Sequence, residues 1–427
     1  MAIKPLLIRN ARIVDPASNQ DGPGDILFGE TILDIGQRIE AKNADELDAD
    51  GLCVMPGLID MRVVIGEPGA EHKETFKSAG RAALAGGVTT LVMAPNTHPV
   101  IDDASLVDYV QRRASERAKM HILPAAALTR GLKGELMTEM GLLAEAGAVL
   151  FSNGDAPIVD SRVMRRALSY STVFGALIAH RPQDHCLAGS GVMHEGELAA
   201  RLGLPGIPAA AEVIGAERDL ALASLTGGRL LLDMISSADT LEPLRRAKDR
   251  GANAYASVSV HHLALNEQDV DGYRTFAKLS PPLRREADRR ALGAAVGSGL
   301  IDVIVSGHDP RPAEDKRLPF DEAAFGAAAL ETLLSGALSL VHNGDAKLLD
   351  IVRAMTLRPA ELLNLPQGRL TKGAPADLIV VDLGAPYQLD ADKLLSKSKN
   401  SPFDKKLMQG LVRRTYVGGR LAFERAN

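Results

Sequence analysis

A small set of residues in this 427-residue chain has the side chains needed for chemistry on a substrate. His180, Asp155 and Asp309 lie at or just after short apolar runs, and imidazole and carboxylate groups can bind a metal or transfer a proton. A rearranged site that uses all three residues is one possible arrangement. His261 and His262 are a second candidate pair, but adjacent strand residues point to opposite faces, so packing is the favoured interpretation for them.

The middle of the chain must position these residues, and it alternates apolar strand-like runs with helical stretches, which is typical of parallel βα units. The predicted strands are Leu58–Val64, Thr89–Ala94, Met120–Ala126, Ala148–Ser152, Gly175–His180, Arg229–Ile235, Ala254–Val260 and Asp302–Ser306. Such a series predicts an α/β fold of the (β/α)₈ barrel type. The predicted helices are Glu74–Ala85, Leu106–Ala118, Ala209–Leu225 and Phe320–Leu338.

Both ends of the chain have a different pattern, with short alternating runs separated by turn residues. Examples are Asp25–Phe28 near the start and Ala376–Val381 and Val412–Gly419 near the end. We therefore expect one small sheet domain built from both termini. The polar, Lys- and Ser-rich stretch Leu395–Lys406 is predicted to be an exposed loop.

Composition excludes several classes of protein. The chain is 46% hydrophobic and 24% charged, with a net charge of -5, which gives no reason to expect a nucleic acid or a membrane as partner. Cys53 and Cys186 lie far apart, which fits a reducing compartment without disulfides. The N-terminus lacks the long apolar core of a signal peptide, and no apolar segment is long enough to span a bilayer. A cytoplasmic protein is predicted.

Several motifs resemble those of the class I dihydroorotases, in the amidohydrolase superfamily. They are Pro56-Gly57-Leu58-Ile59-Asp60, Glu67-Pro68-Gly69, Ala94-Pro95-Asn96-Thr97, Met193-His194-Glu195-Gly196, His261-His262-Leu263 and Pro281-Pro282-Leu283-Arg284. The resemblance covers essentially the whole chain. It implies a TIM barrel over residues 56–365 and a β-sandwich domain over residues 1–55 and 366–427. It also implies a zinc-assisted, reversible cyclisation of carbamoyl aspartate to dihydroorotate.

The functional positions of that family are mostly substituted in this chain. The family's first-strand His-x-His falls on Arg62 and Val64, and its bridging aspartate falls on Asn153. Its fifth-strand histidine is kept as His180, whereas its sixth-strand histidine falls on Met234 and its catalytic aspartate on Gly307. The family's substrate-binding arginine falls on Gly66.

One remaining histidine cannot hold a catalytic zinc, which needs about three protein ligands. We therefore expect the positions Arg62, Val64, Asn153, His180, Met234 and Gly307 to be vestigial, with no catalytic residue, no metal and no cofactor. Arginine only donates hydrogen bonds and stays charged, so Arg62 could replace the positive charge of a lost metal. It is then expected to pair with Asp155 or Asp309.

Three further residues have open interpretations. His180 is either a remnant zinc ligand or a hydrogen-bonded barrel histidine, with the second favoured. Asn96 and Arg311 are possible remnants of ligand contacts, although an asparagine after a proline often only stabilises a turn.

Three functions follow from these expectations. The leading one is a catalytically inactive dihydroorotase-like protein of pyrimidine biosynthesis, so not an enzyme. By resemblance to non-catalytic homologues, it would assemble with the catalytic chain of aspartate transcarbamoylase and form a homo-oligomer. The second is an active dihydroorotase or another cyclic amide hydrolase with a rearranged metal site. The third is a sensor that binds a pyrimidine intermediate without turnover.

Overall fold

Two large sheets organise the part of the chain that the computed structural model describes, which is residues 3–426. Met1, Ala2 and Asn427, at the ends of the predicted terminal domain, lie outside it. The strands are β1 Leu6–Asp15, β2 Gln20–Phe28, β3 Ile32–Gly36, β4 Asp45–Asp48, β5 Cys53–Pro56, β6 Leu58–Val63, β7 Val88–Met93, β8 His121–Ala127, β9 Leu150–Ser152, β10 Leu177–His180, β11 Met193–His194, β12 Gly206–Ile207, β13 Arg229–Leu232, β14 Ala254–Ser259, β15 Val303–Val305, β16 Leu378–Gln388, β17 Leu407–Val417 and β18 Arg420–Glu424.

The helices surround the sheet that contains β6 to β10 and β13 to β15. They are α1 Phe76–Ala85, α2 Ala104–Arg117, α3 Met140–Glu145, α4 Ser161–Ser171, α5 His185–Ala188, α6 Glu197–Leu202, α7 Ala209–Thr226, α8 Leu241–Asp249, α9 Val260–Ala264, α10 Glu286–Gly297, α11 Ala313–Lys316, α12 Leu333–His342, α13 Leu348–Met355 and α14 Leu357–Leu363. Over residues 3–426, no helix is both long enough and apolar enough to cross a membrane.

The barrel sheet runs in the order β6-β7-β8-β9-β10-β13-β14-β15, with parallel neighbours throughout. Val63 at the end of β6 pairs in parallel with His308 just after β15, and the Val64 amide donates to the His308 carbonyl at 2.8 Å. These two contacts close the barrel. Each predicted strand of the middle region corresponds to one of these strands, so the predicted TIM barrel is confirmed.

The inside of the barrel is a packed core because alternate strand residues point inward. Met61, Val92, Leu231 and Val303 belong to this inner cluster, and the opposite faces of the strands pack against the helices. Polar residues are therefore collected at the C-terminal ends of the strands, where the chain turns away from the barrel and forms its mouth.

The other sheet is made from both ends of the chain, as predicted. Its order is β18-β17-β16-β5-β1-β2-β3, with β4 beside β1. It has its own core, which includes Ile8, Ile26 and Val54, and the rings of Phe28 and Tyr416 meet edge to face at 5.2 Å. The predicted fold class, a barrel with a terminal β domain, is confirmed.

One predicted helix is largely wrong. α1, α2 and α7 begin and end within two residues of the predicted bounds, but the helix predicted over Phe320–Leu338 begins only at Leu333, after a 3₁₀ turn. Two buried lysines bind the carbonyls of the preceding segment: Lys316 Nζ donates to Ala324 O at 2.6 Å and Lys278 Nζ to Asp321 O at 3.0 Å. Carbonyls held in this way do not take part in a helix.

The predicted exposed loop Leu395–Lys406 is also wrong, and we call this segment the strap. Ser396 Oγ and the Lys397 amide donate to the buried carboxylate of Glu74. Asn400 Nδ2 donates to Gly326 O at 3.0 Å, and the ring of Phe403 stacks on His261. Most of the strap is buried or half-buried despite its polar sequence, with Lys397 and Lys405 exposed, because its polar groups find partners on the barrel.

Candidate functional site

A small polar cavity lies at the barrel mouth, where the strands end. It is lined by Arg62, Asp155, Met234, Ser259, His261, His262, Leu279, Ser280, Gly307, His308, Asp309 and Gly326. Its volume is about 20 Å³, which is room for about one water molecule. The structure thus brings together Arg62, Met234 and Gly307 of the predicted set, and it adds both predicted aspartates.

Arg62 is buried and is bound by two carboxylates. Its Nε donates to Asp233 Oδ2 at 3.0 Å, and its Nη2 donates to Asp155 Oδ1 at 2.9 Å. Arg181 Nη1 also donates to that oxygen of Asp155, at 3.1 Å. The predicted ion pair between Arg62 and Asp155 is therefore present. Sequence analysis missed Asp233, whose only signal is its place beside Met234 at the end of β13.

This network controls the ionisation of both carboxylates. Removal from water acts to raise the pKa of Asp155, but the charges of Arg62 and Arg181 outweigh it and lower that pKa. Burial raises the pKa of Asp233, and Arg62 opposes this only in part. Burial acts to lower the pKa of Arg62, but its two carboxylates raise it, so it is a permanent cation.

His180 lies outside the cavity, and its ring is fully engaged. The Ile158 amide donates to Nε2 at 3.1 Å, so that nitrogen carries no proton. Nδ1 then carries the proton and donates to Asp219 Oδ2 at 2.6 Å. The lone pair that would bind a metal is occupied, which agrees with a hydrogen-bonded barrel histidine.

Asn153 and Val64 have structural contacts of their own. The Asn153 amide donates to Leu132 O and Ala156 O, and its oxygen accepts from Thr129 Oγ1 at 2.6 Å. Asn153 thus fixes the loop after β9 and is completely buried. Val64 contributes its backbone to the closure of the barrel.

Met234 and Gly307 fit each other across the cavity. A Cβ atom on Gly307 would lie 3.4 Å from Met234 Sδ and 3.1 Å from Ser259 Cβ. Gly307 also has a φ of +64°, which side chains rarely adopt. The thioether therefore occupies space that the absence of a side chain at position 307 leaves open.

Two residues, Arg311 and Asn96, were predicted as possible remnants of ligand contacts, and neither is placed to bind a ligand in the cavity. Arg311 donates to Asp309 Oδ2 at 2.6 Å and to Phe325 O at 2.7 Å, so it holds the loop after β15. Asn96 does not line the cavity, and its Oδ1 finds no hydrogen-bond partner within residues 3–426. A Cβ at Gly66 would lie 2.1 Å from the Ala70 carbonyl oxygen, so an arginine at that position requires a different loop.

The side of the cavity formed by the loops after β14 and β15 has unpaired polar atoms. Asp309 Oδ1 and His261 Nε2 are buried and have no hydrogen-bond partner in the described part of the chain. Burial raises the pKa of Asp309 and lowers the pKa of His261 to about 3, so His261 is neutral. His261 and His262 lie in the short helix α9 and not on a strand, so the geometric reason given for their packing is wrong, although both are buried.

These residues do not fit a zinc site. The side chains of Arg62 and Val64 offer no lone pair, and Gly307 has no side chain. The lone pairs of His180 Nε2 and Asn153 Oδ1 already accept hydrogen bonds from other groups. The thioether of Met234 prefers softer metals. Across residues 3–426, no group of three or more His, Cys, Asp and Glu side chains could hold a metal ion. No step of a reaction is therefore assigned to a metal here.

Solved structures define the class of this fold. The L-hydantoinase (dihydropyrimidinase) from Arthrobacter aurescens superimposes with a TM-score of 0.90, at 24% identity, over 100% of this chain and 97% of that one. The dihydropyrimidinase from Brevibacillus agri NCHU1002 gives a TM-score of 0.85 at 20% identity, over 98% and 95% of the two chains. The fold is that of the amidohydrolase barrels.

Sequence comparison gives the family. The Dihydro-orotase-like family matches residues 51–240, and the Amidohydrolase family matches residues 232–422. Proteins named dihydroorotase from Wolbachia sp. subsp. Drosophila simulans (strain wRi) and Anaeromyxobacter dehalogenans (strain 2CP-1 / ATCC BAA-258) are 41% and 40% identical. They match over 97% and 98% of this chain and over 94% and 98% of their own lengths. The chain belongs to the dihydroorotase-like family of cyclic amide hydrolases of pyrimidine metabolism.

The relatives contradict two of the predictions. The prediction that the chain is not an enzyme is contradicted because relatives at 38 to 41% identity, over almost the whole chain, are named dihydroorotase. The prediction of no cofactor is contradicted as well, because the amidohydrolase dihydroorotase family normally binds zinc. The side chains at the centre of this chain nevertheless differ from those on which the family relies.

Proposed function

We propose that this chain is a cyclic amide hydrolase whose active centre is rearranged around Arg62, Asp155 and Asp309. Family membership at about 40% identity supports the type of reaction. The observation that carries the proposal is the buried Oδ1 of Asp309, which has no hydrogen-bond partner among residues 3–426 and lies in the same cavity as the permanent cation Arg62. A buried carboxylate with a raised pKa is suited to act as a general base.

The reaction adds water to the carbonyl of a ring amide and breaks the ring C–N bond. In the proposed mechanism the water occupies the cavity, and Asp309 Oδ1 takes a proton from it as its oxygen attacks the carbonyl carbon. Arg62 stabilises the negative charge that develops on the carbonyl oxygen. The proton returns from Asp309 to the leaving nitrogen, which gives the open-chain product with a new carboxylate.

The site also suggests which ring is preferred. The cavity has room for a water but not for a ring, so we expect the ring to bind above it, beside the loops that carry Leu279 and Gly326. Gly66 removes the family's contact to a substrate carboxylate. A ring without a carboxylate, such as hydantoin or dihydrouracil, is therefore expected to compete well with dihydroorotate.

The test is hydrolysis of dihydroorotate, hydantoin and dihydrouracil by the purified chain, after chelator treatment and again with added zinc. Turnover is expected, and Asp309→Asn should lower kcat by about 100-fold or more because it removes the base. Asp108→Asn is the control, since Asp108 is exposed on α2. Absence of turnover in every metal state, or an unchanged kcat in Asp309→Asn, would overturn the proposal.

We also propose that the chain assembles with the catalytic chain of aspartate transcarbamoylase and with copies of itself. The support is the resemblance to dihydroorotase homologues that form such complexes, and a rigid barrel surrounded by helices provides suitable faces. The test is co-purification from cells, with the assembly and activity of the transcarbamoylase measured with and without this chain. A transcarbamoylase that is fully assembled and active alone would contradict it.

A further inference from the structure

A groove on the outside of the molecule combines an apolar floor with a basic rim. It lies between α1, the end of α2 and the edge strand β18, and its volume is about 510 Å³. Leu84 and Phe423 contribute to the floor, and Lys77, Arg81, Arg117 and Lys119 form the rim. The groove exists because Gly80 lets α1 approach the end of α2, where a Cβ on Gly80 would lie 3.1 Å from Ala118 Cβ.

The four cations of the rim have no carboxylate partner within 4.0 Å among the described residues, whereas many other surface arginines do. Arg117 and Lys119 lie at the C-terminal end of α2, where the helix dipole favours positive charge. Lys77 is different, because it lies in the first turn of α1, where the dipole disfavours a cation. Helix stability therefore does not explain Lys77.

The groove differs from a site for a small ligand. Such sites carry a few polar groups on the inside that fix the orientation of the ligand. Here the charged side chains stand on the rim and are exposed, and the side chains of the floor are apolar. This arrangement fits an extended or helical segment with acidic side chains along its borders and an apolar side chain in the middle.

We propose that this groove binds an acidic segment of a partner protein, with an apolar side chain placed on Leu84 and Phe423. Charge complementarity selects the occupant: four cations without a carboxylate partner in residues 3–426 gather here, in a chain whose net charge is -5. The cations steer the segment to the groove, and burial of the apolar side chain retains it. This binding does not depend on the proposed hydrolase activity, because the groove lies apart from the barrel mouth.

The test uses the full chain and a fluorescein-labelled peptide in which glutamates alternate with leucines, followed by anisotropy. Binding is expected and should weaken as the salt concentration rises, because the charges are exposed. The double variant Arg81→Glu/Lys119→Glu should weaken binding by about tenfold or more. Its matched control is Arg165→Glu/Arg166→Glu, on a second basic patch formed by α4, which should bind the peptide like the unaltered chain.

Two further binding measurements test whether the peptide is recognised by both the apolar floor and the basic rim of the groove. Phe423→Ala should weaken binding of the leucine peptide but not of a peptide with serine in place of leucine. A lysine–leucine peptide should not bind. Equal loss in both double variants, binding that is insensitive to Phe423→Ala, or complete competition by inorganic triphosphate at equimolar concentration would overturn the proposal.

Discussion

The two sides of the barrel mouth differ in how far their polar groups are satisfied. On one side, Arg62 is held by Asp155 and Asp233, and Arg181 joins the network through Nη1, although its Nε has no partner in the described residues. On the other side, Asp309 and His261 each keep a buried polar atom without a partner in the described residues. The first side is a stabilising network, whereas the second keeps the groups that a substrate or a water could use. We therefore expect substitutions on the first side to lower stability, with loss of activity as well where Arg62 is removed, and those on the second to change activity with little loss of stability.

The largest effect is expected for Arg62→Met. This change leaves Asp233 buried without its cation, and loss of one partner of a buried pair costs about 3–5 kcal/mol. Urea unfolding at neutral pH measures this loss. Arg162→Met is the control, because Arg162 is exposed and the loss of its solvent-screened pair with Asp160 should change stability far less.

The pH dependence of the stability of Arg62→Met follows from the direction in which the carboxylate pKa values move. Without Arg62, the folded-state pKa values of Asp155 and Asp233 both move upward, and that of Asp233, which burial already raises, moves further above its unfolded value. The folded state then binds protons more tightly than the unfolded state, so the variant recovers stability as pH falls through these values. A deficit below about 1 kcal/mol, or one that grows on acidification, would contradict the role given to Arg62.

A smaller loss is expected for Gly66→Ala. The new Cβ would lie 2.1 Å from the Ala70 carbonyl oxygen, and overpacking of this kind costs about 1–3 kcal/mol. Thermal unfolding compared with Gly22→Ala provides the measurement, since a Cβ at Gly22 meets nothing within 4 Å. Equal melting temperatures for the two variants would mean that the loop after β6 can accommodate a side chain, including the family's arginine.

Whether a residue's partners lie near it or far from it in the chain explains which elements sequence analysis could predict. The strands were predictable because uninterrupted apolar runs are characteristic of strands buried on both faces. The strap was not, since Ser396 and Asn400 look like loop residues until Glu74 and Gly326, far away in the chain, provide their partners.

The site was predictable only in part. The position of Arg62 at a strand end followed from the family resemblance, and its charge predicted a pair with Asp309 or Asp155, of which the structure has the pair with Asp155. Asp233 could not be inferred, because a carboxylate beside Met234 has no pattern of its own. The unpaired state of Asp309 Oδ1 depends on the direction of Arg311, which the sequence does not give.

Gly307→Ala tests the contact between the two sides of the cavity. The φ of +64° disfavours any side chain, and the Cβ would approach Ser259 and Met234, so a loss of about 1–2 kcal/mol is expected. Part of this loss should disappear when Met234→Ala is present, which gives a coupling of about 0.5 kcal/mol or more in a double-mutant cycle. Purely additive losses would show that Met234 and Gly307 do not depend on each other.

The smallest effect on stability, and the opposite sign, is expected for Asp309→Asn. Burial raises the pKa of Asp309 by more than its pair with Arg311 lowers it, so its ionised form costs folding free energy, and the neutral amide should stabilise the fold by about 1 kcal/mol or less. This gain in stability should appear as pH rises through the pKa of Asp309 in the folded state. It should vanish below the pKa of Asp309 in the unfolded state, because the carboxyl group is then protonated in both states. Asp108→Asn should show neither effect.

Greater stability together with lost hydrolysis would assign Asp309 to chemistry, because an active-site carboxylate retained at a cost to stability has its benefit in the reaction. A destabilised variant would instead place Asp309 in the same kind of network as Arg62, and the distinction between the two sides would fail.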